Sequence, residues 1–250
     1  DRQGSRISLT ESGNLLLEHC ERILEDYKRL EYEMHLLHNE YTGGLKLGAS
    51  TTIAQYVLPP LLASFIGKFP QVSLSLLNGN SREIEAALQE HRIDLGFVEG
   101  VFRLPNIRYT TFLEDELVAV VRTGSKLAVG EEITPDELFH LPLVLRERGS
   151  GTLDVFERAL QQHNIKLSSL QVLMYLGSTE SIKLFLEHTD CLGIVSVRSI
   201  TRELYSGQLR VVEIKGMPML RDFSFAQPQG QESGLAQVFM QFAMHNNHKL

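Results

Sequence analysis

Residues 72–100 read VSLSLLNGNSREIEAALQEHRIDLGFVEG, in which two apolar runs flank an amphipathic segment. Val72–Leu77 is rich in leucine and is followed by the turn residues Asn78-Gly79, a pattern typical of a strand and its end. Arg82–His91 has apolar residues at helical spacing, and Ile93–Val98 is a second short apolar run. Two apolar strands joined by a helix predict parallel strands of one sheet with a right-handed crossover.

The same alternation extends in both directions. Leu45–Ala49 and Pro59–Phe69 add a strand and a helix before the quoted stretch, which completes a βαβαβ unit. A second set of apolar and amphipathic segments follows: Leu117–Val121, Pro135–Leu141, Leu143–Leu145, Leu153–His163, Gln171–Leu176, Ser181–His188, Gly193–Val197 and Ile200–Tyr205. Leu209–Ile214 and Asp222–Ala226 read as strands, and Leu235–Met244 reads as a closing helix. The sequence therefore predicts an α/β protein with two lobes, and a cleft between them if the last segment returns to the first lobe.

The N-terminal part has a different period. Apolar residues alternate at spacings of four and three, as in the seam of a coiled coil, at Leu16, Cys20, Ile23, Tyr27, Leu30, Met34, Leu37 and Tyr41. Ser8 or Thr10 can cap the start of this helix, and Gly43-Gly44 ends it. One narrow apolar stripe on a single helix needs a partner surface, so we expect a homodimer. Packing on the helix's own domain is the alternative.

Composition limits the classes of function. The chain has 250 residues, 43% hydrophobic and 22% charged, with a net charge of −7, which argues against extensive phosphate contact by these residues. Only Cys20 and Cys191 occur, so neither a disulfide framework nor a zinc cluster is expected. No apolar run reaches membrane-spanning length, and the first residues do not resemble a secretory signal. We expect a cytoplasmic protein without a membrane partner.

Three polar loops stand where a strand ends and a helix begins. They are Ser50-Thr51-Thr52, the segment from Arg146 to Thr152, and Gly177-Ser178-Thr179-Glu180. Hydroxyl groups and free backbone N–H groups at a helix N-terminus can hold a carboxylate, sulfate or phosphate. Ordinary helix capping is the alternative for each loop. Three such loops in one two-lobed fold favour a shared ligand pocket.

Two more strand ends carry polar groups. A turn containing Gly79, Asn80 and Ser81 starts a helix, and Glu99-Gly100 ends a strand. The carboxylate of Glu99 can accept a hydrogen bond from a ligand or can pair with Arg146 or Arg148. The predicted ligand-binding residues are Ser50, Thr51, Thr52, Gly79, Asn80, Ser81, Glu99, Gly100, Arg146, Gly149, Ser150, Gly151, Thr152, Gly177, Ser178, Thr179 and Glu180.

Enzymatic and metal-binding patterns are weak. Gly149-Ser150-Gly151 lacks the spacing of a nucleophile elbow, and no phosphate-binding P-loop motif is present. His35 and His38 lie three residues apart on the long helix but have no nearby third ligand. We therefore predict no catalytic residue, no metal and no cofactor.

These segments resemble one family. Residues 2–13 match R-x-G-x-x-x-x-L-T-x-x-G, which resembles the wing and the start of the linker helix in LysR-type transcriptional regulators. Segments similar to the effector-binding domain follow in order: Leu58 to Leu62 with Phe69-Pro70, Gly79-Asn80, Asp94 to Gly100, Asp115 to Leu117, Arg146-Glu147 with Gly149 to Thr152, and Gly177 to Lys183. Gly-Asn, Val-Glu-Gly and Arg-Glu-x-Gly-Ser-Gly-Thr together are most similar to the CysL-like subgroup, which is associated with sulfur metabolism. That subgroup leads us to expect Pro and Arg where this chain has Arg148 and Leu153, so the charge of the pocket stays open.

The resemblance implies two Rossmann-like lobes of the type 2 periplasmic-binding-protein fold after a coiled-coil linker helix, with a small-molecule effector in the cleft. It implies a remnant of a winged helix at 1–10, the linker helix at 11–42, lobe I at 43–100 with 220–250, and lobe II at 101–219. The chain would be the sensing part of a homodimeric or tetrameric regulator that binds DNA through a preceding domain. Rival interpretations are a solute-binding receptor of a transporter and an enzyme of similar shape.

Overall fold

The structure is a computed structural model of the chain, and it describes residues 2–3, 6–7, 9–38, 41–127, 130–230 and 234–246. Within these ranges the strands are β1 (Arg2–Gln3), β2 (Arg6–Ile7), β3 (Gly43–Ser50), β4 (Val72–Gly79), β5 (Leu95–Glu99), β6 (Ile107–Arg122), β7 (Glu132–Ile133), β8 (Pro142–Arg146), β9 (Gln171–Leu176), β10 (Leu192–Ser196), β11 (Leu209–Ile214) and β12 (Leu220–Pro228). The α-helices are α1 (Glu11–His38), α2 (Thr51–Tyr56), α3 (Leu58–Lys68), α4 (Ser81–Gln89), α5 (Gly151–Gln162), α6 (Thr179–His188), α7 (Thr201–Tyr205) and α8 (Gly234–Asn246). Short 3-10 helices cover Pro135–His140, Leu167–Ser169 and Val197–Ser199.

Lobe I is a mixed sheet covered on both faces. β3 lies between β4 and β5 and is parallel to both, while β12 is antiparallel to β5 and to the first half of β6. Helices α2, α3 and α8 enclose a core rich in phenylalanine, in which the ring of Phe65 lies 4.8 Å from that of Phe239. Helix α4 packs on the opposite face through residues such as Ile84 and Leu88.

Lobe II repeats this arrangement with a different strand order. The second half of β6 pairs antiparallel with β10 and β11, and β8 is parallel to β10 and β9. Helix α5 contributes Phe156 and Leu160 to one core, and α6 contributes Ile182 and Leu186 to a core on the other face. The predicted two-lobed α/β fold is confirmed.

Strand β6 joins the lobes and is longer than the sequence analysis predicted. Its 16 residues begin at Ile107, whereas the apolar pattern predicted a strand only at Leu117–Val121. Ile107 and Phe112 are buried in the cores of lobe I, although the predicted boundary placed them in lobe II. Of residues 107–114, only Ile107 and Phe112 are buried, and the polar residues between them leave no continuous apolar run that would indicate a strand. The chain returns to lobe I between β11 and β12, so two connections span the lobes.

Helix α1 precedes the lobes and exposes its apolar stripe. The hydroxyl oxygen of Thr10 accepts a hydrogen bond from the N–H of Gly13 at 3.0 Å, which caps the first turn. The exposed fractions of the predicted seam residues are 65% for Leu16, 66% for Ile23, 57% for Tyr27, 56% for Leu30 and 50% for Met34, and Cys20 is also exposed.

The observed helix α1 is shorter than the predicted linker helix at its C-terminal end. The helix ends at His38, and Tyr41 lies beyond it with its ring packed edge-on against Phe69 of lobe I, 5.6 Å between centroids. The side chain of Leu37 and the capping candidate Ser8 lie outside the described residues. Before the helix, β1 and β2 form an antiparallel pair within the predicted wing segment. In the described part of the chain, no helix combines the length and apolarity needed to cross a membrane.

Candidate functional site

The ends of three parallel strands and the beginnings of two helices meet between the lobes. Ser50, Glu99 and Arg146 are the last residues of β3, β5 and β8. Thr51 and Gly151 are the first residues of α2 and α5. All five are buried. Because the carboxyl ends of parallel strands in an open α/β sheet are where ligands bind, this position fits the predicted pocket.

Glu99 is the centre of one hydrogen-bonded group. Its side chain accepts hydrogen bonds from Ser50 Oγ at 2.9 Å, Thr52 Oγ1 at 3.1 Å and Thr152 Oγ1 at 3.4 Å. Ser50 and Thr52 belong to lobe I and Thr152 to α5 of lobe II, so the carboxylate ties the lobes together. Its ion pair is with Arg221, Nη1 to Oε1 at 3.2 Å. Glu99 therefore pairs with neither of the two arginines that the sequence offered as partners, Arg146 and Arg148.

Arg221 and Asp115 extend this group to the connections between the lobes. The guanidinium of Arg221 donates through Nε to Asp115 Oδ2 at 2.7 Å and through Nη1 to Thr152 at 3.0 Å. Ser196 Oγ donates to the other carboxylate oxygen of Asp115 at 2.7 Å. Neither Asp115 nor Arg221 was among the predicted ligand-binding residues. Asp115 stands in an acidic run that looks solvated, and Arg221 lies 106 residues further along the chain, so no local signal connects them.

Arg146 belongs to a second group. It is 1% exposed, its Nη2 donates to Thr51 Oγ1 at 2.7 Å, and its Nε donates to Glu147 at 2.9 Å. Nη1 is buried and has no hydrogen-bond partner among the described residues. A buried charged donor without an acceptor costs more than about 1–3 kcal/mol. The neighbouring Arg148 instead pairs with Glu157 at the surface, 2.8 Å apart.

A third contact between the lobes involves Glu180. The hydroxyl of Tyr56, the last residue of α2, donates a hydrogen bond to the carboxylate of Glu180 in the first turn of α6. Lys183 Nζ lies 2.7 Å from Glu180 and 2.8 Å from Glu203. Burial opposes ionisation of Glu180, but the hydrogen bonds from Lys183 and Tyr56 outweigh it and hold the pKa of this carboxyl below its usual value. Burial and the Glu180 contact together raise the pKa of Tyr56 far above its usual range.

Three of the predicted site residues cap helices. The side-chain oxygen of Asn80 accepts from Glu83 N at 3.0 Å, that of Ser150 from Leu153 N at 3.1 Å, and that of Ser178 from Ser181 N at 3.1 Å. Capping was the alternative interpretation of the loops that contain Ser150 and Ser178, and both side-chain oxygens do cap a helix. Gly79 and Gly177 precede two of the caps, and the backbone oxygen of Gly149 accepts from Arg82 N at 3.3 Å. Ser81 Oγ donates to the backbone oxygen of Glu99 at 2.9 Å, and Thr179 is buried.

The backbones of the lobes touch at two glycines. Gly100 has a φ of +109°, and a Cβ there would lie 2.9 Å from the Cα of Gly151. A Cβ on Gly151 would lie 2.2 Å from the backbone oxygen of Glu99. Any side chain at Gly151 would push the lobes apart, so this state is a closed one.

The described side chains contain no group of three or more His, Cys, Asp or Glu residues placed to hold a metal ion. The side chains of His35 and His38 lie outside the described part.

Comparison with known proteins gives a consistent result. The sequence model of the family described as "LysR substrate binding domain" matches residues 38–247. An uncharacterized HTH-type transcriptional regulator of Escherichia coli, YeiE, is 35% identical over 214 residues, which are 86% of this chain and 70% of that protein. The HTH-type transcriptional regulator CysL of Bacillus subtilis is 25% identical over 225 residues, 90% of this chain and 74% of that protein.

A solved structure is also similar. The regulatory domain of Synechocystis PCC6803 CcmR, in complex with 2-PG, matches with a TM-score of 0.74 and 28% identity. The match covers 82% of this chain and 97% of that one.

Proposed function

Because this chain belongs to the family of LysR substrate binding domains, we propose that it is the effector-sensing and oligomerising part of a LysR-type transcriptional regulator. The effector is a small anion bound in the cleft between the lobes. DNA binding is the task of a helix-turn-helix domain, since the relatives are named HTH-type transcriptional regulators. Such a protein works in the cytoplasm.

The main support for an anionic effector is the Nη1 of Arg146, which has no hydrogen-bond partner among the described residues. This donor is buried beside Thr51 at the start of α2, and a buried N–H of a charged group that lacks an acceptor is expected to bind one. The backbone N–H groups at the starts of α2 and α5 add the positive ends of two helix dipoles. The CcmR regulatory domain was solved in complex with 2-PG, which supports a small-molecule effector for a domain of this fold.

Binding rather than catalysis fits the state of Glu99. A catalytic carboxylate needs to exchange protons with a substrate, whereas Glu99 already accepts from three hydroxyls and pairs with Arg221. Its role is to hold the donors of the two lobes in place. A ligand that reorganises these contacts would change the angle between the lobes.

A thermal-shift series tests the effector assignment. Inorganic phosphate, sulfate and 2-PG are titrated against the chain, since a ligand at about 100 times its Kd stabilises by about 2.7 kcal/mol. We expect at least one anion to raise the unfolding temperature, and Arg146→Met to remove that rise. Arg146→Lys, which keeps the charge but loses the forked geometry, should weaken binding by about tenfold.

The matched control is Arg92→Met, because Arg92 also pairs with a carboxylate, Glu90 at 2.7 Å, but at the surface. It should leave the anion response unchanged. An anion response that survives Arg146→Met, or no response to any of the three anions, would contradict the assignment.

Regulation itself is tested on the full-length protein. The effector must distinguish two conformations, with a coupling of about 1–3 kcal/mol, to change DNA binding. If saturating effector leaves both the DNA affinity and the footprint unchanged, the proposal of an effector-dependent regulator is wrong.

A further inference from the structure

A cavity of about 420 Å³ lies between α5 and residues of lobe I. One wall comes from lobe I, with Arg82, Val101 and Phe102, and the other from α5 of lobe II, with Asp154, Glu157 and Arg158. None of these residues belongs to the hydrogen-bonded groups around Glu99 and Arg146. The volume lies in the range of small-molecule sites.

The cations of this cavity are available to a ligand. Among the described residues, the guanidinium of Arg82 has Asp154 and the ring of Phe102 as its neighbours, and Arg158 is an exposed residue of the wall. Glu157 is already paired with Arg148. Burial raises the pKa of Asp154, the remaining carboxyl on the wall. With Glu157 paired to Arg148, two guanidinium groups, those of Arg82 and Arg158, remain against the single carboxyl of Asp154, and this excess of positive charge favours an anion.

The loop from Gly100 to Arg103 supplies an apolar surface that is held in place. Phe102 is 52% exposed and Val101 39% exposed. The guanidinium of Arg103 donates to the backbone oxygen of Gly100 at 3.2 Å and to Ser224 Oγ at 3.3 Å, which anchors the loop to β12. The guanidinium of Arg82 lies over the ring of Phe102, 5.9 Å from its centroid. An exposed apolar surface that rims a cavity and lies on a fixed loop is typical of a binding site.

We propose that this cavity is a second ligand site, which binds a small aromatic carboxylate. The aromatic ring packs against Phe102, and the carboxylate pairs with Arg158 and Arg82. Because the two walls belong to different lobes, the bound molecule bridges them and favours the closed state that the Gly100–Gly151 contact defines. The site does not depend on the proposed effector in the cleft.

Fluorescence provides a direct test, because the chain contains no tryptophan. Phe102→Trp places a single reporter in the exposed wall of the cavity. Titration with benzoate should change its emission saturably, with a Kd of about 1 mM or tighter. Benzamide, which has the same shape without the charge, should bind at least about tenfold more weakly. Calorimetry of the unsubstituted chain with benzoate gives the same Kd without the reporter.

Two arginine variants decide the role of the wall. In the Phe102→Trp background, Arg158→Ala should raise the Kd for benzoate at least about tenfold. The matched control is Arg202→Ala, another exposed helical arginine that lies outside this wall, and it should not change the Kd. Arg146→Met, which removes the cation of the cleft, should leave benzoate binding intact. Equal affinity for benzoate and benzamide, an unchanged Kd in Arg158→Ala, or no saturable response in either measurement would overturn the proposal.

Discussion

Two buried arginines in the cleft have opposite electrostatic situations. Arg221 pairs with two carboxylates, those of Glu99 and Asp115; its Nη2 makes no well-aligned hydrogen bond among the described residues but lies 2.7 Å from Asp115 Oδ2, so its charge is balanced. Arg146 has one carboxylate, Glu147, and one N–H without an acceptor. A satisfied buried network fixes one arrangement, whereas an unsatisfied donor is a site for an anion. At the scale of single residues, Arg221 holds the two lobes together, and Arg146 is the residue that we propose binds the effector.

The close contact at Gly151 leads to a prediction. Gly151→Ala should destabilise the closed chain by about 1–3 kcal/mol, because its Cβ would lie 2.2 Å from a backbone oxygen that cannot move away cheaply. The unfolding temperature falls by about 2–4 °C per kcal/mol in a chain of this size. Small-angle scattering should also show a wider separation of the lobes. Gly177→Ala is the control, since a Cβ there meets nothing within 4 Å. Equal behaviour of the two variants would contradict a tight contact between the lobes.

At the scale of elements, the 6-residue helix α2 contacts all three hydrogen-bonded groups of the cleft, those of Glu99, Arg146 and Glu180. Thr52 in its first turn reaches Glu99, Thr51 accepts from Arg146, and Tyr56 in its last turn reaches Glu180 of lobe II. Its position after β3 makes it a rigid extension of the lobe I sheet. A ligand that moves Thr51 or Thr52 therefore also shifts the Tyr56–Glu180 contact.

A variant of α2 tests this contact through its pH dependence. Glu180 has a lowered pKa in the folded chain, so its contacts stabilise the fold above the pKa of the unfolded state, near 4.5, and this contribution is lost as the pH falls through the lower folded value. Tyr56→Phe should reduce the free energy of unfolding at pH 7 by less than about 1 kcal/mol, because Glu180 is half exposed. The difference from the parent chain should shrink below pH 4.5.

Urea unfolding between pH 3 and pH 7 measures this difference. Tyr205→Phe is the control, because Tyr205 is 90% exposed. A difference for Tyr56→Phe that stays constant over the whole pH range would show that the hydroxyl acts independently of the Glu180 charge.

The whole molecule combines a closed two-lobed sensor with a long helix that exposes its apolar stripe. The lobes have their own buried cores, so α1 is not needed to complete them. The stripe is instead available to a second copy of the chain, and movement of the lobes can then pass through α1 to a domain beyond it. Dimerisation through this helix remains a prediction.

Substitutions on α1 test dimerisation. Ile23→Glu should shift the chain from dimer to monomer in analytical ultracentrifugation, because it places a charge in the centre of an apolar seam. Leu24→Glu is the matched control, since Leu24 is exposed to a similar extent, 57% against 66% for Ile23, but lies off the seam. If both variants dissociate equally, or if neither does, the seam is not the contact surface.

The two-lobed α/β architecture could be predicted from the sequence, because periodicity is a local property. Alternating apolar runs and amphipathic segments specified the lobes, and the heptad spacing specified a helix with one apolar stripe. The helix-start loops also gave several residues that the structure brings together, among them Ser50, Thr52, Glu99 and Thr152.

Tertiary structure alone decided how these groups pair. The partner of Glu99 is Arg221, which lies 122 residues further along the chain at the start of β12. Asp115 lies in an acidic stretch typical of a surface, but β6 places it in a buried position beside Arg221. The strand β6 was only partly predicted. Its first half belongs to the lobe I sheet and contains too many polar residues to form an apolar run. Ion pairs and lobe boundaries depend on contacts between distant segments, and local sequence patterns contain no information about such distances.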